Sequence, residues 1–245
     1  MKLKKRLDVA LSELYPQLSR NQLQSWIMQG KASVNGHVIT KSGFMVTDKD
    51  ELSLSIEQPK YVCRAGFKLE YALDYFGINV QNLTILDAGL STGGFTDCLL
   101  QRGARKVYGV DVGYGQVHEK IRSDTRVQVL ERTNLRYLTD LGEEHEKVDL
   151  ITLDLSFISV LKVMEAVTLL LKPQGSLLIL IKPQFEAEKH EVGKKGIIKD
   201  PEVHEQVITN VTQGVERYGF ACQGVIESPI TGATGNKEFL AYFKA

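Results

Sequence analysis

Cysteine is scarce in this 245-residue chain, occurring at Cys63, Cys98 and Cys222 only. Three thiols with no metal-like spacing offer no metal site, and their odd number speaks against a secreted disulfide framework and for a reduced, cytoplasmic setting. Excess charge of either sign is also lacking, since 30 Lys and Arg balance 30 Asp and Glu. Any affinity for nucleic acid must therefore come from local patches. Long hydrophobic runs are missing too. The most apolar stretch, residues 175–181, is too short to span a bilayer. The basic start, Met-Lys-Leu-Lys-Lys-Arg-Leu-Asp, leads into no apolar segment and does not read as a signal peptide. No membrane partner is expected. With 43% apolar and 24% charged residues, the chain has the composition of a soluble globular protein with one sizeable α/β core and a small appendage.

The larger part alternates short apolar runs with helical patterns. Residues 83–87 form a β-branched run ending in Asp87, followed by Ala88-Gly89-Leu90-Ser91-Thr92-Gly93-Gly94-Phe95, whose glycines allow a tight turn into a helix. A second strand over 107–111 ends in Asp111, about twenty residues on, the spacing at which nucleotide-binding α/β units set a carboxylate on ribose hydroxyls. Gly89, Gly93 and Gly94 depart from the Gly-x-Gly-x-x-Gly turn that receives a pyrophosphate. An anion at Asp87 suits a ligand bearing an ammonium and a sulfonium, so S-adenosylmethionine fits better than NAD. Further strands are expected over 127–130, 149–154 and 176–182, helices over 160–171 and 201–218, and closing strands over 220–226 and 239–243. This is a Rossmann-like, doubly wound α/β sheet. The glycine- and charge-rich loop over 184–199 is expected to be mobile until RNA binds.

Residues 1–59 read as a separate small α+β domain, and 60–245 as the large one, with 60–67 as the linker region. Two short amphipathic helices, the second capped by Ser19, precede a hairpin around Asn35-Gly36 and a last strand over 52–56. Trp26 and Phe44 are expected in the core. Lys4, Lys5, Arg6, Arg20 and Lys31 are expected to cluster at the helix ends, with Arg64 in the linker, as a surface for folded RNA bound through phosphates and shape. Arg6-Leu7-Asp8, Ser19-Arg20 and Val34-Asn35-Gly36 resemble the RNA-binding domain named after ribosomal protein S-four.

Four charged residues remain. Asp154 and Lys182 end the fourth and fifth strands at the carboxyl edge, where open α/β sheets hold their ligands. Lys68 falls in the first turn of a helix, where a cation opposes the helix dipole and so serves something other than local stability. Glu238 precedes the final strand. A ribose hydroxyl is a poor nucleophile, so methyl transfer to it requires alignment and removal of one proton, help that a lysine among carboxylates can supply.

These features together are similar to the TlyA family, in which an S-four type domain precedes an FtsJ-like methyltransferase domain. The motifs are Arg64-Ala65-Gly66-Phe67-Lys68, Leu153-Asp154-Leu155-Ser156-Phe157, Ile181-Lys182-Pro183-Gln184-Phe185 and Asn236-Lys237-Glu238-Phe239. The resemblance implies 2′-O-methylation of cytidine in ribosomal RNA within a ribosomal subunit, with S-adenosylmethionine as cofactor and Lys68, Asp154, Lys182 and Glu238 as the catalytic set. It also implies cofactor contacts from Asp87, Gly89, Ser91, Thr92, Gly93, Gly94 and Phe95, with Asp111 at the ribose and Thr133 and Asn134 near the adenine. Ala65 and Leu90 depart from the family pattern, where glycine and alanine are common. The family also carries a haemolysin label. A pore former would need a lipid-facing span, which the sequence does not offer. A non-catalytic RNA-binding scaffold is the other alternative.

Overall fold

The computed structural model describes residues 4–55, 59–142 and 146–245. The chain divides between Pro59 and Lys60 into two compact units. The first contains β1 (Lys5–Arg6), α1 (Leu7–Leu14), α2 (Arg20–Met28), β2 (Ala32–Val34), β3 (His37–Ile39), β4 (Met45–Val46) and β5 (Leu52–Leu54). Ser19 starts α2 with a reciprocal capping box, its hydroxyl accepting from the Gln22 N–H while the Gln22 carboxamide accepts from the Ser19 N–H. Asn35 and Gly36 both take positive φ, +50° and +78°, which gives the β2–β3 hairpin the twist of a type I′ turn. Leu7, Leu11, Leu23, Ile27 and Val34 form the core, with Trp26 packed at its edge. Phe44 does not join them and is 39% exposed. Its backbone closes the turn on Lys41 and accepts from the Leu7 N–H, which leaves its ring outside. Ile56, expected at the end of the last strand, lies outside the described residues.

The second unit runs α3 (Ala65–Tyr75), β6 (Thr84–Ala88), α4 (Gly94–Gln101), β7 (Lys106–Val110), α5 (Glu119–Arg122), β8 (Val127–Leu130), β9 (Val148–Leu153), α6 (Met164–Leu170), β10 (Leu171–Ile181), α7 (Pro183–Glu186), α8 (Pro201–Glu216), β11 (Ala221–Glu227) and β12 (Phe239–Lys244). Its seven strands lie in the order β11-β12-β10-β9-β6-β7-β8. From β10 to β8 the pairing is parallel, and β12 and β11 are added antiparallel. Successive residues of β10 feed two cores, Leu177, Ile179 and Ile181 one of them, Leu178 and Leu180 the other. A sheet buried on both faces needs such unbroken apolar strands.

Three local expectations change. The helix expected over 160–171 opens as a 3₁₀ turn, Val160–Val163, and stops at Leu170, because Leu171 already pairs with Val148 in β10. The beginning of the linker region is docked on α4. Tyr61 is buried with its ring edge-on to Phe67 at 5.1 Å, and the Val62 N–H donates to the Asp97 carboxylate at 2.8 Å. The segment expected to be a loop opens with α7 and is bonded near both ends. Glu186 accepts from the Val160 N–H at 2.8 Å, and Asn236 accepts from the Ile198 N–H at 2.9 Å.

Candidate active site

At the end of β6 the chain turns at Gly89 with φ +88°, and a Cβ there would stand 2.4 Å from the Asp154 carbonyl oxygen. Only glycine lets these two strand ends approach so closely. Gly93, φ +95°, starts α4, and a Cβ there would meet Ile121 at 2.8 Å. Asp111 stands just past β7 with its carboxylate fixed by two backbone donors, the N–H groups of Ser91 and Gly113, each at 2.7 Å. Beside this turn opens a cavity of about 450 Å³, lined among others by Gly89, Ser91, Asp111, Thr133, Asn134 and Asp154. A smaller recess of about 70 Å³ shares Gly89, Ser91 and Asp154 and adds Thr92, Gly94 and Phe95. A pinned carboxylate at one side and a glycine cradle at the other fit a nucleoside carrying an amino-acid tail, as S-adenosylmethionine does.

Of the expected cofactor contacts, Asp87 and Gly93 line neither recess, and of the four catalytic candidates only Asp154 lines them. Asp87 is fully buried beneath the turn, its oxygens taken by the hydroxyls of Thr96 at 2.6 Å and Thr152 at 3.0 Å. Burial pushes its carboxyl up to about 6 in spite of these bonds, and the charge of Asp154 adds to the rise. Asp87 can thus reach a cationic ligand only through its field. Gly93 is likewise confined to shaping the turn.

The four charged candidates form two ion pairs at the carboxyl edge of the sheet. Lys182 Nζ lies 2.6 Å from Asp154 Oδ1 and donates to Ser156 Oγ at 2.9 Å. The Asp154 contact falls outside hydrogen-bond alignment, which leaves that buried oxygen without a hydrogen-bond donor among the described residues. Lys68 Nζ pairs with Glu238 Oε2, both side chains more than nine-tenths buried. Glu238 adjoins Phe239, which pairs with Ile181 just ahead of Lys182, so both pairs sit at the same end of neighbouring strands. The cation in the first turn of α3 is thereby answered by a carboxylate brought from the far end of the chain.

In the first unit, Arg6 and Arg20 both clamp the buried Asp8, with Nε and Nη2 contacts of 3.0 to 3.2 Å, and Gln24 adds a donor at 2.6 Å. These bonds hold the Asp8 carboxyl far below the usual range, the Arg6 bond contributing most. Both guanidiniums remain about half exposed, with side chains 48% and 54% accessible. Lys5 is paired with Glu13 at 2.8 Å, while Lys4, Lys31 and, in the second unit, Arg64 are exposed.

Several side chains at the site carry no periodic or glycine signal. Ser156 holds Lys182. Phe157 stands 91% exposed on the cavity lining with φ +66°, its ring 5.1 Å from that of Phe185. A left-handed aromatic is a strained position that no sequence pattern announces.

The fold and the site define a Rossmann-like methyltransferase, with S-adenosylmethionine as its cofactor. The FtsJ-like methyltransferase family model matches residues 61–245, and the S4 domain model, the S-four module, matches residues 5–52. The chain belongs to the FtsJ-like methyltransferase family, in its TlyA branch. It is 38% identical to the 16S/23S rRNA (cytidine-2′-O)-methyltransferase TlyA of Mycobacterium tuberculosis, over 98% of this chain and 89% of the relative. It is 42% identical to Hemolysin A of Brachyspira hyodysenteriae, over 97% of this chain and 99% of the relative. A solved haemolysin-labelled protein from Streptococcus thermophilus superposes with a TM-score of 0.75 at 38% identity, over 100% of this chain and 89% of its own. Among the described residues no helix is long and apolar enough to cross a membrane.

Proposed function

We propose that the protein methylates the 2′-hydroxyl of a cytidine in ribosomal RNA, acting in the cytoplasm on a ribosomal subunit that its S4 unit helps to hold. The observation that carries this reading is the setting of Lys182, 2.6 Å from Asp154 and 2.9 Å from Ser156, two residues that line the nucleoside-sized cavity. The TlyA relative with that named activity supports it.

In this reading Gly89, Ser91 and Asp111 bind the cofactor, and Thr133 and Asn134 line the adenine side. The bound S-adenosylmethionine supplies an electrophilic methyl group on a sulfonium. Asp154 and Ser156 aim Lys182 Nζ, which in its amine form receives the proton leaving the 2′-oxygen. Glu238 holds Lys68 so that its ammonium faces the negative charge growing on that oxygen. General-base help of this kind accounts for about 10²- to 10⁴-fold in rate, and alignment of the reacting atoms for much of the remainder.

The test incubates the full chain with radiolabelled S-adenosylmethionine and unmodified ribosomal subunits, then digests the RNA and identifies nucleosides by mass spectrometry. 2′-O-methylcytidine is expected. Label absent from RNA would remove the reading, and red-cell lysis by detergent-free protein would favour the haemolysin alternative.

A further inference from the structure

Asn236 stands two residues before Glu238 and is only 1% exposed. Its carboxamide spans two separate segments. Oδ1 accepts from the Ile198 N–H at 2.9 Å, while Nδ2 donates to the Gly196 carbonyl at 2.7 Å and to Thr234 Oγ1 at 3.1 Å. Its own carbonyl accepts from the Gly232 N–H at 2.8 Å, closing the turn that leads into Glu238. That turn touches the carboxylate directly, since a Cβ on Gly232 would stand 2.4 Å from Glu238 Oε1. One carboxylate oxygen of Glu238, Oε1, thus faces Gly232, and the other, Oε2, accepts from Lys68. Every polar atom of the Asn236 carboxamide is used to hold a turn that packs against the Glu238 carboxylate at Gly232.

We propose that Asn236 is a positioning residue for methyl transfer: by fastening the 196–198 backbone to the 232–236 turn, it sets the Glu238 carboxylate where it holds Lys68. This rests on the methyltransferase reading given above. The 184–199 segment, fastened at 196–198, carries Lys189, Lys195 and Lys199, exposed and without a carboxylate partner among the described residues. A buried amide with all its bonds made costs little to keep and much to disturb. A displacement of one ångström at a catalytic carboxylate lowers turnover by about 100-fold without loosening ligands bound elsewhere.

The experiment compares wild type, Asn236→Ala, Gly232→Ala and the double variant. Methyl transfer to ribosomal subunits gives kcat and the KM for RNA, and calorimetry gives the Kd for S-adenosylmethionine. Gly232→Ala leaves the Asn236 carboxamide in place and presses on Glu238 directly. Each single variant is expected to lower kcat about 10- to 100-fold, with cofactor Kd and RNA KM within about twofold of wild type. Because both act through Glu238, the double variant should be no worse than the poorer single one by more than about threefold. Multiplying effects, an Asn236→Ala kcat near wild type, or loss of cofactor binding in Asn236→Ala would each overturn the proposal, the last by making Asn236 a residue of general stability. A wild-type chain that binds cofactor but methylates no ribosomal RNA would instead defeat the underlying reading and the inference with it.

Discussion

Asp87→Asn isolates the cost of a charge held under the cofactor turn. The wild-type carboxyl is fully buried, with two hydroxyl donors and, among the described residues, no cation in contact, and it is pushed from 3.8 up to about 6. The folded protein therefore binds this proton more tightly than the unfolded chain does. Between roughly pH 4 and pH 6 unfolding releases it, so this group's contribution makes stability fall as pH rises, and above that window the loss is constant. A shift of about two units corresponds to about 3 kcal/mol. Asparagine keeps the shape and cannot ionise. The stability of Asp87→Asn relative to wild type should then grow by about 2 to 2.5 kcal/mol from pH 4 to pH 7 and change no further. The only tryptophan, Trp26, lies in the first unit. Urea unfolding of the full chain is accordingly followed by hydrogen exchange at β6 and β9 amides rather than by indole fluorescence. A difference between the two proteins that stays level across this range would refute the reasoning and place the folded carboxyl near its usual value.

Lys182→Ala should lower kcat by about 10²- to 10⁴-fold while the cofactor Kd, measured by calorimetry, changes little, since its contacts are Asp154 and Ser156 rather than the glycine turn. Unchanged turnover would remove Lys182 from the mechanism. Gly89→Ala forces φ +88° on a residue with a Cβ and drives it into the Asp154 carbonyl. It should cost on the order of 2–4 kcal/mol in denaturant titration and abolish cofactor binding, and a variant that binds as wild type would contradict the cradle. Arg6→Ala with Arg20→Ala should weaken binding to ribosomal subunits and flatten its dependence on salt. It also leaves Asp8 buried with Gln24 as its remaining side-chain donor, so the first unit should melt lower; equal RNA affinity would count against this footprint.

What could be read from the sequence was whatever depends on neighbours a few residues apart. The Ser19 cap, the Asn35-Gly36 hairpin and the alternation of apolar strands with helices follow from local backbone preference and from burial on both faces of a parallel sheet. Phe44 escaped this logic because its ring follows the backbone of a turn paired to Leu7, and Leu171 because pairing with Val148 outweighed its helical setting. That Asp154 faces Lys182 follows from the ends of neighbouring strands, whereas only the tertiary structure decided which charge Lys68 meets. Lys68 and Glu238 are 170 residues apart and meet because α3 and β12 share one core, Leu69 and Leu73 with Leu240 and Tyr242, while Asp87, an acid beside the glycines, is sealed below them by Thr96 and Thr152. Sequence period specifies which face of an element is buried; strand order specifies what waits on the other side, and no short-range pattern contains it.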